Sequence, residues 1–214
     1  MSDTDTFKRS LREAWQDISK PQTHEVYDDL IEHFLLLFSH QARGGRRSLQ
    51  ALLSQSVTNI PSHKSHRLIF RKLGIGIVAW YESDFDKSSK VFGELAVRLG
   101  TYRSPPGGLD PFITFTLRLH LLIWTAASEC RLGHFDKSQE TLDEVRLELK
   151  SRKDFRCPNC LGWYHAERGR TCFWSDDTAR ANYHYTRAID IFRQTKNRFG
   201  LAEAANACAR LSKI

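Results

Sequence analysis

The tetrapeptide Phe85-Asp86-Lys87-Ser88 recurs unchanged fifty residues later as Phe135-Asp136-Lys137-Ser138, and the residues around the two copies agree as well. A small residue stands twelve positions before each serine, Gly76 and Ala126, and a large apolar one four positions after it, Phe92 and Leu142. Gly169, Ala181 and Tyr185 repeat the same spacings, with Asp176-Asp177 between the first two. Self-similarity in a fixed register marks a repeat architecture, in which a unit that cannot bury its apolar face alone stacks on its neighbour.

Apolar periodicity makes those units helical. Leu68, Ile69, Leu73, Ile77, Val78 and Tyr81 recur at three and four, and Ser83-Asp84-Phe85-Asp86 reads as a turn into a returning helix over Ser88–Leu99, stopped by Gly100. Ser104-Pro105-Pro106-Gly107-Gly108 lies in a loop, which accounts for a separation longer than the ~34 residues of a compact helix-pair repeat. A second pair is predicted over Phe112–Arg131 and Lys137–Lys150, a third over Leu161–Trp174 and Thr178–Gln194, and a last, alanine-rich helix over Leu201–Leu211. The front third also shows helical stripes, from Asp5 to Ile18, after Thr23 and from Arg46, but none in the repeat register.

Close crossing of two helices needs small side chains, so Gly76, Ala126 and Gly169 are expected to face Ser88, Ser138 and Ala181, leaving Phe92, Leu142 and Tyr185 to fill the gap to the next pair. Phe85 and Phe135 would plug the turns, Asp86 and Asp136 would cap the second helices, and Lys87 and Lys137 would face solvent. In these positions, with Leu95, Gly133 and Ala188, the chain resembles the tetratricopeptide repeat (TPR) family. The usual proline after each repeat and the leading tryptophan are missing. The resemblance implies an all-α, right-handed superhelical solenoid of antiparallel helix pairs with an extra helical N-terminal segment. Residues 1–64 would then be N-terminal helices packed on the solenoid, and residues 65–214 three TPR-like pairs plus a capping helix.

Net charge is +7, and its placement says more than its size. No acidic residue occurs between Glu32 and Glu82, whereas Arg43, Arg46, Arg47, Lys64, Arg67, Arg71 and Lys72 do, so the excess lies in one basic segment suited to an acidic partner. The first twenty residues lack a secretory pattern and the longest apolar run, Phe34 to Phe38, is too short to span a membrane. Five cysteines without an export signal fit a reducing, cytoplasmic setting in which thiols stay free or bind metal.

The resemblance places the first helix of each pair on a concave inner surface. The stripe away from the pair contact gives a partner-binding groove of Phe70, Trp80, His120, Arg131, Trp163, Arg170 and Phe173. Aromatic anchors with guanidinium groups suit a protein or peptide carrying apolar side chains and carboxylates. The Lys and Asn positions of the family's chaperone-tail clamp are occupied by Leu73, Ile77, Ile123 and Ala127, so that ligand is not expected.

Cys157-Pro158-Asn159-Cys160 is a zinc half-site by spacing, and His165 follows five residues later. Cys172 lies seven residues beyond His165, about 10 Å along a helix, too far to share one ion with it. The metal candidates are thus Cys157, Cys160 and His165 with a fourth ligand from elsewhere, against the alternative of free thiols. No phosphate loop, nucleophile elbow or H-E-x-x-H occurs, and the turn aspartates have a capping role. The sequence reads as a non-catalytic adaptor or regulatory subunit. Nucleic-acid association through residues 43–72 and peptide sensing are the alternatives.

Overall fold

The computed structural model describes residues 72–100 except 74, 78 and 81, then residues 111–151 and 157–211. All of these are helix or tight turn, apart from the capping residues. The expected N-terminal helices, residue Phe70 and the expected loop through Ser104–Gly108 lie outside the described residues. Of the two units into which the chain divides, Met1–Arg67 and Leu68–Ile214, the second holds everything described below.

Seven helices follow one another among the described residues: α1 (72–80), α2 (Phe85–Gly100), α3 (Pro111–Arg131), α4 (Phe135–Ser151), α5 (Pro158–Trp174), α6 (Thr178–Gln194) and α7 (Arg198–Leu211). Each packs on the next, and α3 with α5 and α5 with α7 also touch. The neighbours run antiparallel, because contacts late in one helix fall early in the next. Gly162 of α5 meets Phe192 of α6, while Gly169 meets Tyr185.

Four turns share one design that explains where the helices stop and start. Ser83, Gly133, Asp176 and Lys196 have φ of 62°, 80°, 62° and 58°, the left-handed conformation of a Schellman ending. The following N–H groups, of Asp84, His134, Asp177 and Asn197, donate to the carbonyls of Ala79, Glu129, Cys172 and Phe192 at 2.8–2.9 Å. Three of these residues then cap the next helix with the side chain: Asp84 Oδ1 accepts from Lys87 N–H, Asp177 Oδ1 from Arg180 N–H and Asn197 Oδ1 from Gly200 N–H. Asp86 and Asp136 are therefore not the caps. They sit in the first turn of α2 and α4, where a carboxylate still suits the helix dipole.

The small positions receive the large ones. A Cβ on Gly76 would lie 2.5 Å from Phe92, and one on Gly169 would lie 2.8 Å from Tyr185. Phe92 and Tyr185 stand one helical turn beyond Ser88 and Ala181, the residues expected opposite these glycines, and so share their helix face. Phe92 also reaches the next helix, its ring 5.5 Å from that of Trp124. The buried serines look onward instead: Ser128 donates to Ser88 at 3.1 Å, and Ser138 and Thr171 share a bond of 2.9 Å. Phe85 stacks edge-on against Trp80, as a plug in the turn. Lys137 does not merely face solvent, since its ammonium lies 2.7 Å from the buried carboxylate of Glu129, which Ser89 and His134 also bond. Burial works against that carboxylate's charge, but these hydrogen bonds outweigh it and hold the pKa low.

Candidate functional site

The N-terminus of α5 is built by cysteine chemistry. Cys157 is the capping residue, its Sγ accepting the Cys160 N–H at 3.2 Å, and Pro158 takes the first helical position, where a missing N–H costs nothing. Cys157 and Cys160 are joined by a disulfide, and both are buried. The pair is thus bonded and not a pair of free thiols; Cys130, Cys172 and Cys208 are free.

His120 of α3 completes this cluster. It is 5% exposed in an otherwise apolar run, and its Nε2 lies 3.6 Å from Cys160 Sγ. Burial denies the imidazolium its water and lowers the pKa to about 4, so the ring is neutral at pH 7. One ligand atom from each of His120, Cys157 and Cys160 lies within 4.8 Å of the others. The sequence reading paired these cysteines with His165. The structure puts His120 there, reached across the α3–α5 contact.

His165 instead meets His184 of α6, Nδ1 to Nδ1 at 2.9 Å, so with both rings neutral one donates and the other accepts. Both pKa values are lowered to about 4, for His165 by burial, His184 and Arg187, and for His184 by burial, Arg168 and Arg180. This pair lines an open cleft of about 940 Å³ shared by α4, α5 and α6. Among the described residues of its lining, Arg146, Lys150 and Arg168 are cations and Asp143 is the one carboxylate, with Tyr164 and Tyr183 beside them. Arg168 is fixed by the Gln139 carbonyl at 3.0 Å and by Asp143, which also pairs with the exposed Arg146 at 3.4 Å, and Lys150 is exposed as well. Cys157 and Pro158 belong to the same lining.

The expected groove residues separate into two groups. His120 is buried, and Arg170 is committed inside, bonding Glu167 Oε2 at 2.6 Å with Glu203 beyond; the two carboxylates raise its pKa despite burial. Trp163 is half-buried against Phe192, and Phe173 packs on the cluster of Cys172, Ala181 and Tyr185. Arg131 is exposed, over the half-buried Trp80 at 5.9 Å. In the basic patch, Lys72 pairs with Glu94 at 3.2 Å, and Arg43, Arg46, Arg47, Lys64, Arg67 and Arg71 lie outside the described residues. Sequence reasoning missed His120 as a cysteine partner and missed the cleft, because both depend on which helices become neighbours. No helix among the described residues is long and apolar enough to cross a membrane. Comparison with known proteins finds no matching family model, no matching curated protein and no matching solved structure.

Proposed function

We infer that the chain is a non-catalytic scaffold, a TPR-like solenoid of helix pairs that holds an acidic segment of a partner protein. The observation that carries this reading is the cleft shared by α4, α5 and α6, which Arg146, Lys150 and Arg168 line together with Tyr164 and Tyr183. Guanidinium groups bind carboxylates bidentately, and the exposed ring of Tyr183 gives rigid apolar contact at small entropic cost, with the buried Tyr164 behind it. Support for the solenoid comes from the four equivalent turns, the small-to-large packing at Gly76 and Gly169, and the contacts between alternate helices. The seat of binding moves from the first-helix stripe to this cleft, since His120 is buried and Arg170 is already paired with Glu167 and Glu203 within the protein.

A peptide array tests the reading with the full chain as probe. Peptides of glutamate around one leucine or tyrosine anchor should retain the protein, and their lysine counterparts should not. The double change Arg146→Glu with Lys150→Glu should weaken retention about tenfold or more, in line with the cost of misplaced charge at an interface. Equal retention of both peptide sets, or indifference to charge reversal, contradicts it.

A further inference from the structure

We propose that His120, Cys157 and Cys160 form a redox-gated zinc site, closed by the disulfide and opened by its reduction. The site does not depend on what the cleft binds. Ligands at about 2.3 Å for Zn–S and about 2.0–2.1 Å for Zn–N, set at the tetrahedral angle, lie about 3.6 Å apart. Cys160 Sγ and His120 Nε2 already stand at 3.6 Å. Two thiolates and a neutral imidazole are the soft and borderline donors that zinc takes, and hard cations such as magnesium do not.

The local backbone supports the same use. Cys157 Sγ accepts the Cys160 N–H, a bond that strengthens when the sulfur is a thiolate, and Cys157 heads α5, where the helix dipole favours negative charge. His120 comes from a different helix, so the ion would tie α3 to the start of α5. Its fourth position goes to a water, admitted from the cleft that Cys157 lines.

Disulfide sulfurs carry no thiolate charge and hold zinc poorly, so oxidation and metal occupancy exclude each other. A low-molecular-weight thiol supplies the electrons. Its thiolate attacks one sulfur of the Cys157–Cys160 bond to give a mixed disulfide and one free cysteine thiol. A second thiol attacks the mixed disulfide, releasing the other cysteine thiol and one oxidised small-molecule disulfide. Two thiols are consumed, two electrons pass to the protein, and zinc then binds with loss of two protons from the cysteines.

Cobalt(II) is the probe, since thiolate ligation gives it an intense charge-transfer absorption. The full chain, reduced, freed of reductant and kept from air, should take one equivalent with that absorption. The same chain oxidised should take none. His120→Asn should weaken the affinity by at least the ~10–100-fold seen when even a supporting residue is lost, while His165→Asn should leave it unchanged. Absence of the thiolate absorption in the reduced wild-type chain overturns the proposal, and this arm needs no variant to fold. Loss of binding in His165→Asn, with folding intact by circular dichroism, overturns the choice of His120.

Discussion

At the residue scale, the helices pack by glycine meeting an aromatic ring. Phe192 is fully buried between Gly162 and Gly200, on which added Cβ atoms would stand 2.5 and 2.7 Å from its ring. Alanine ordinarily favours a helix over glycine by about 0.5–1 kcal/mol, but a rigid ring with no room to retreat makes overpacking the larger effect, about 1–3 kcal/mol. Gly162→Ala should therefore destabilise, and Phe192→Ala should cost about 3–5 kcal/mol by leaving a cavity. Urea unfolding measures both, and a stabilised Gly162→Ala would show that the ring can move. The histidine pair gives a pH signature that it shares with the buried His120, so the pair's double variant tests only its part of it. Both pKa values fall from 6.5 to about 4 on folding, through burial first and then nearby cations, with Asp177 opposing the effect at His184. The unfolded chain thus binds more protons between these values, so the pair's contribution is intact above pH 6.5 and declines as pH drops towards 4. Melting temperature should fall across that window, and His165→Asn with His184→Asn should flatten the slope.

The helices themselves were legible at the element scale, and their first turns were not. The apolar stripes place α6 at Thr178–Gln194 as observed, whereas α2, α4, α5 and α7 each begin two or three residues before the first periodic residue chosen for them. At α2, α4 and α7 the cause is the turn chemistry, a left-handed residue and then one cap position before the helix, which puts the cap at Asp84 and not at Asp86; at α5 it is the Cys157 cap followed by Pro158. Asp177→Ala should cost about 1 kcal/mol, the usual loss for a side-chain cap. Lys196 holds a left-handed conformation that costs a side chain about 1–2 kcal/mol, against the entropic penalty of about 0.5–1 kcal/mol for glycine. Lys196→Gly should accordingly raise stability by about 0.5–1 kcal/mol. Thermal melts of the two variants should shift in opposite directions. Gly133 already meets this requirement at its own turn, where its φ is 80°.

At the scale of the whole molecule, the site emerges only once helices distant in sequence become neighbours. Cys157 and Cys160 announce themselves by spacing, but His120 lies on α3, and its helical period says only which stripe it occupies. The packing of α3 on α5 makes it a partner of Cys160 and so takes it out of the expected groove. Arg146 and Arg168 likewise look like ordinary surface charges until α4, α5 and α6 bring them into one cleft with Tyr164 and Tyr183. Binding of an acidic segment there is the central claim, and hydrogen exchange of the full chain with and without a saturating glutamate-rich peptide tests it most directly. The account predicts slower exchange in the cleft-lining parts of α4, α5 and α6, with α1 and α2 unchanged. Slowing confined to α1 and α2, or no slowing at a peptide concentration that saturates binding, would contradict it.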